Sequence, residues 1–180
     1  MVGVKLTLTY QGQLPATQRG VSQTKARLRR AFHPQIKEQI GHMLGGPSAR
    51  HVTSEVDGWE FISPAHERFC TAVELEVLLL TRQGSRPLGD TDNRTKTLID
   101  GLTRPANKQQ LQGFSQPDDG GPTYCLLDDD GLVNRMTVDS RHWFDPAADI
   151  DEALVVITAS IVPGKNIDME APTGSLFLML

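Results

Sequence analysis

The chain has 180 residues, a formal net charge of −4 and ordinary hydrophobic (38%) and charged (22%) fractions, which argue against disorder and suffice for one buried core. No apolar run approaches the roughly 20 residues needed to span a bilayer, and the opening MVGVKLTLTYQG lacks the pattern of a secretory signal. Charge is unevenly spread: residues 1–110 carry 15 Lys+Arg against 10 Asp+Glu, and residues 111–180 carry 3 against 12, which permits a basic face. Cys70 and Cys125 are isolated among apolar neighbours. Buried thiols in a reducing, cytoplasmic compartment are therefore expected, rather than a disulfide or zinc site.

Taken in chain order, VKLTLTY (4–10) alternates Val4, Leu6, Leu8 and Tyr10 with polar residues and reads as a strand. From Ser22 the stretch SQTKARLRRAFHPQIKEQIGHML carries an apolar stripe of Ala26, Leu28, Ile36, Ile40 and Met43 and reads as helix. Pro34 is expected to kink it or divide it in two. Residues 45–58 are turn-rich and read as a surface loop, and WEFI (59–62) as a short strand. TAVELEVLLLTR (71–82) alternates cleanly and is the clearest strand. A helix is expected from Asp92 or Asn93 to Leu102, stopped by Pro105. The polar stretch 105–123 reads as a loop insertion, and long loops in compact domains are usually functional. Strands follow at about 133–144 and 152–163, and the apolar LFLML at 176–180 is a candidate for one more. These elements predict a single α+β domain over 1–180, with helices packed on a mixed sheet.

The chemistry concentrates in GDTDNRTKTLIDGL (89–102) and LLDDDGLV (126–133). In extended backbone Asp90 and Asp92 would point to one side, and either could favour a helix N-terminus. Lys96 and Asp100 follow at four-residue intervals and share a helix face with Asp92. A capped helix with an i,i+4 ion-pair ladder explains that segment by itself. Asp128, Asp129 and Asp130 change the balance, because apolar flanks would hold three carboxylates close to the core. Close carboxylates raise one another's pKa unless a cation neutralises them. An Asp-rich turn is the simpler explanation, but two acidic clusters together also suit a hard divalent cation. An EF-hand is excluded, since counting from Asp90 the sixth residue is Thr95 and the twelfth Gly101. The histidines show no ligand spacing, and no nucleotide-binding glycine loop or nucleophile elbow is present.

The pattern of Asp90, Asp92, Asn93, Lys96, Asp100 and Leu102, followed by Asp129, Asp130 and Val133, resembles the RusA family of Holliday-junction resolvases. The β-α-β-α-β-β order of elements is similar to that family's too. The resemblance implies a homodimeric, Mg²⁺-dependent endodeoxyribonuclease (Mn²⁺ being the usual substitute) acting on four-way DNA junctions. It further implies catalytic roles for Asp90, Asp92, Asp130 and Lys96, with Asp129 joining the three aspartates around the metal. Lys25, Arg27, Arg29, Arg30 and Arg94 are then candidates for phosphate contact. Asp100 is expected to pair with Lys96 or Arg104. The alternative is a non-catalytic DNA-binding or scaffold protein, or acidic clusters that serve only as a folding-linked cation site.

Overall fold

A computed structural model of the chain describes residues 4–15, 21–44, 52–82, 89–143 and 152–164. In order it contains β1 (Lys5–Gln13), α1 (Val21–Ile40), β2 (Thr53–Val56), β3 (Trp59–Ile62), β4 (Thr71–Arg82), α2 (Gly89–Leu102), β5 (Thr123–Tyr124), β6 (Val133–Trp143) and β7 (Glu152–Pro163). The fold is mixed α+β. The main sheet runs β1-β7-β4-β6, with β4 parallel to β6 and the other pairs antiparallel. One rung sets Leu8 beside Ile157, Ile157 beside Val77, and Val77 beside Val138. The alternation read in β1 and β4 therefore becomes one buried face, on which the helices pack. Residues 176–180 lie outside the described residues. No described helix is long and apolar enough to cross a membrane.

α1 is one helix of 20 residues that runs through Pro34 instead of dividing there. Leu28, Phe32, Ile36 and Ile40 recur every four residues and are buried, whereas Pro34 faces solvent. The apolar stripe thus stays intact across the proline, and about 1.5–3 kcal/mol for each buried large side chain outweighs one missing helical hydrogen bond. The polar side of α1 closes the outer edge of β1. Gln35 accepts from the Thr9 N–H (2.8 Å) and donates to the Thr9 carbonyl (2.8 Å). Gln39, one turn on, does the same for Thr7 at 3.0 and 2.8 Å. Two primary amides thereby stand in for a neighbouring strand. At the opposite edge, β6 presents Arg135, Asp139 and Arg141 to solvent.

α2 packs against α1 at Gly101. A Cβ there would lie 2.6 Å from Leu28 Cβ, so only glycine permits this approach. The smaller sheet, β2-β3-β5, begins as a hairpin inside the stretch expected to be loop. Its turn is Asp57-Gly58, with φ of 52° and 81°. Positive φ at both positions suits a primed turn, for which Asp-Gly is a strong sequence signal. β5 then lies parallel to β3. It is tied to α1 by the Tyr124 N–H, which donates to His33 Nδ1 at 2.9 Å.

Candidate functional site

α2 starts at Gly89, so Asp90 and Asp92 both belong to its first turn. This corrects the expectation that they lie in extended backbone. On a helix, positions two apart are separated by about 200° around the axis and do not converge. The side chain of Asp90 lies outside the described residues. Asp92, Asn93 and Lys96 occupy the exposed face, while Arg94, Thr95, Thr97 and Leu98 are buried. The expected ion-pair ladder does not form. Among the described residues Asp92 and Lys96 enter no ion pair, and Asp100 pairs with Lys25 of α1 at 2.7 Å, not with Lys96 or Arg104.

The acidic turn forms where the C-terminal end of α2 meets the chain before β6. The Leu102 carbonyl accepts from the N–H groups of Leu126 (3.0 Å) and Leu127 (3.1 Å), and Arg104 N–H donates to the Leu127 carbonyl (3.0 Å). Of the three aspartates only Asp128 turns inward. It accepts from Arg104 through both carboxylate oxygens, the Nη2 bond measuring 3.2 Å, and from Ser54 Oγ at 2.8 Å. Burial pushes its carboxyl up, but the hydrogen bonds from Arg104 and Ser54 outweigh burial and leave it below the ordinary carboxylate range. Arg104 therefore supplies the counter-charge that the sequence suggested a cation would supply. His66 Nε2 lies 3.6 Å from the same carboxylate, while its Nδ1 accepts from the Arg68 N–H, and burial pulls the imidazole below its ordinary value. Asp129 caps a short 3₁₀ turn by accepting from Gly131 N–H at 2.9 Å, and both Asp129 and Asp130 are exposed. The three carboxylates are thus not crowded together near the core.

Two of the five residues expected to contact DNA are structural. Arg29 is 3% exposed and lies against the C-terminal end of α2. Its Nε donates to the Thr103 carbonyl (2.8 Å), Nη2 to the Asp100 carbonyl (2.9 Å) and Nη1 to the Gln110 carbonyl (3.4 Å). A helix end leaves its last carbonyls unpaired and carries partial negative charge, which is why a guanidinium is stable there although burial depresses its pKa. Arg94 is likewise 3% exposed, on the buried side of α2. Lys25 is engaged by Asp100. Arg27 and Arg30 remain on the surface, Arg27 donating to Thr24 Oγ1 and Arg30 to Ser115 Oγ. Lys37, on the same side of α1 beyond Pro34, was not among the expected contacts. Of the expected buried thiols, Cys125 is buried and pushed up to about 12, whereas Cys70 is partly exposed.

A divalent cation needs several oxygen donors around one point. Asp92 lies ten residues before Leu102, about 15 Å along the α2 axis, while Asp129 and Asp130 emerge beside the Leu102 end. Among the described residues no group of three His, Cys, Asp or Glu side chains gathers to hold a metal ion. Within one chain the described residues thus bring no more than two such side chains together. Comparison with family models, curated proteins and solved structures returned no match.

Proposed function

We propose that the chain is a divalent-cation-dependent endodeoxyribonuclease of the RusA type that nicks branched DNA as a C2 homodimer. The observation that carries this reading is how folding divides the charges. Asp100, Asp128, Arg29 and Arg104 are engaged within the fold, whereas Asp92, Lys96 and Asp130 of the motif stay exposed with no ion-pair partner among the described residues. An exposed ammonium one helical turn from a carboxylate suits stabilising the negative charge that builds up on a phosphoryl group in its transition state. A divalent ion, when bound, would supply an activated water.

In one protomer Asp92 and the acidic turn lie toward opposite ends of α2. The reading therefore joins Asp92 and Lys96 of one protomer to the acidic turn of its partner. A two-fold axis creates two such sites, one for each strand to be nicked.

The test uses a labelled four-way junction and a linear duplex, each with Mg²⁺ or EDTA. Metal-dependent nicking of the junction is expected, and Asp92→Asn and Asp130→Asn should each abolish it. Co-expressing the two variants should restore part of the activity, because the mixed dimer keeps one intact site. Cleavage absent under every divalent metal refutes the enzyme, and failure of complementation refutes the shared site. The lack of three gathered ligating side chains among the described residues favours a second reading, DNA binding without cleavage. Junction binding that never leads to nicking would establish that reading.

A further inference from the structure

The exposed edge of α1 carries Arg27, Arg30 and Lys37 at intervals of three and seven residues, so all three fall on one side of the helix. From Arg27 to Lys37 the helix rises about 15 Å, a length equal to four or so base-pair steps at ~3.4 Å per step along one strand. Another part of the same chain already engages two of these three residues. Arg30 donates to Ser115 Oγ, and Lys37 forms an ion pair with Asp119. Segment 114–120 is held at its start by Phe114, whose ring lies 5.2 Å from Trp59 and 5.5 Å from Phe61. Beyond that anchor it turns through Pro117–Gly120, where Gly120 N–H donates to the Pro117 carbonyl at 3.0 Å and Gly120 takes a φ of +66°. Beneath it is a cleft of about 280 Å³ lined by Arg30, His33, Pro34 and Phe114, so the segment bridges open space instead of sealing a core. Asp119 and the Ser115 hydroxyl set oxygens against Lys37 and Arg30, as a phosphodiester backbone would. Because the Lys37–Asp119 pair lies in solvent, it is screened and readily exchanged for another anion.

We propose that the Arg27–Arg30–Lys37 stripe is a binding site for the nucleic-acid phosphate backbone, and that the acidic turn at 115–119 occupies it and must be displaced when DNA binds. This rests on the DNA-directed function above, but it concerns binding rather than cleavage. The turn lowers affinity for any short stretch of backbone. A long or branched DNA engages the whole stripe at once and displaces it.

The experiment measures the affinity of the full chain for a fluorescent four-way junction and a linear duplex, in EDTA, across about 50–200 mM salt. The proteins are wild type, Asp119→Asn, Lys37→Ala and the double variant, each checked for an unchanged melting temperature. Asp119→Asn should tighten binding by roughly tenfold near ~0.1 M salt and steepen the log–log salt slope by up to about 0.9, because the Lys37 phosphate contact no longer requires an ion pair to be broken. Lys37→Ala alone should weaken binding by less than it does in the Asp119→Asn background, because wild type must break the Lys37–Asp119 pair to make that contact. The double variant should lose the gain. A gain that survives in the double variant reflects only the removed negative charge and overturns the proposal, as does no gain where wild type binds DNA. If no protein of the set binds either DNA, the DNA-directed function falls and this inference falls with it.

Discussion

Replacing Arg29 with methionine separates a folding role from a DNA-binding role within one basic run. Methionine keeps most of the stem volume and removes the guanidinium. The Thr103 and Asp100 carbonyls then lose donors at 2.8 and 2.9 Å, while the 3.4 Å contact to Gln110 contributes little. A buried acceptor left unpaired costs about 1–3 kcal/mol. Two of them, together with the lost neutralisation of a helix C-terminal end, give about 3–5 kcal/mol. Against a total stability of about 5–15 kcal/mol this is a large fraction. With a urea m-value of about 2 kcal/mol/M, the unfolding midpoint should fall by about 2 M at unchanged m. Arg29→Lys should recover part of the loss, since an ammonium reaches fewer of the carbonyls in the same geometry. Arg27→Ala and Arg30→Ala, on the surface, should remain within about 0.5 kcal/mol of wild type. The reasoning is refuted if Arg29→Met unfolds within about 1 kcal/mol of wild type.

Three further tests probe the frame around the site. Gly101→Ala gains about 1 kcal/mol in helix propensity but brings a methyl to 2.6 Å from Leu28 Cβ. Net destabilisation of about 1–2 kcal/mol is expected in thermal melts, and a stabilised variant would show that α1 and α2 separate at little cost. The pair Gln35→Ala and Gln39→Ala removes four hydrogen bonds to the β1 backbone. It should lower stability by about 1–3 kcal/mol and speed hydrogen exchange at the Thr7 and Thr9 amides, and unchanged exchange at both would contradict the edge-capping role. Burial holds His33 and His66 below the ordinary histidine value, so the unfolded chain binds more protons than the native one as pH falls through about 6.5, where a free histidine titrates. Stability should therefore be complete above that pH and decline below it. A second decline is expected below about pH 4, starting at the ordinary carboxylate value and running down through the lowered Asp128 value, where protonation removes its bond to Arg104. His66→Asn should flatten the first step, and a wild-type profile that is level from pH 7 to 5 would contradict this assignment.

Much of the fold is legible locally. The alternation in β4 reports a face buried by the helices, and the four-residue recurrence of Leu28, Phe32, Ile36 and Ile40 reports the buried side of α1. The Asp57-Gly58 hairpin was also legible, but polar neighbours made the stretch resemble a loop. Pro34 was misleading for a different reason: a proline on the solvent side breaks one hydrogen bond without disturbing the packed stripe. The exposed positions of Asp92 and Lys96 on a common helix face follow from their spacing.

Charge partners were not legible in the same way. Asp100 had Lys96 four residues away and Arg104 also four residues away, yet it pairs with Lys25 across the contact between α1 and α2. Arg104 goes to Asp128, and Arg29, spaced like its exposed neighbours, turns inward to the end of another helix. By itself the sequence determined which residues lie on which face of each element, because periodicity records burial. Only the tertiary structure decided which of the charged residues remain available for a ligand. That depends on which helix ends and loops are brought alongside, and a buried charge must find its partner there or not be buried at all.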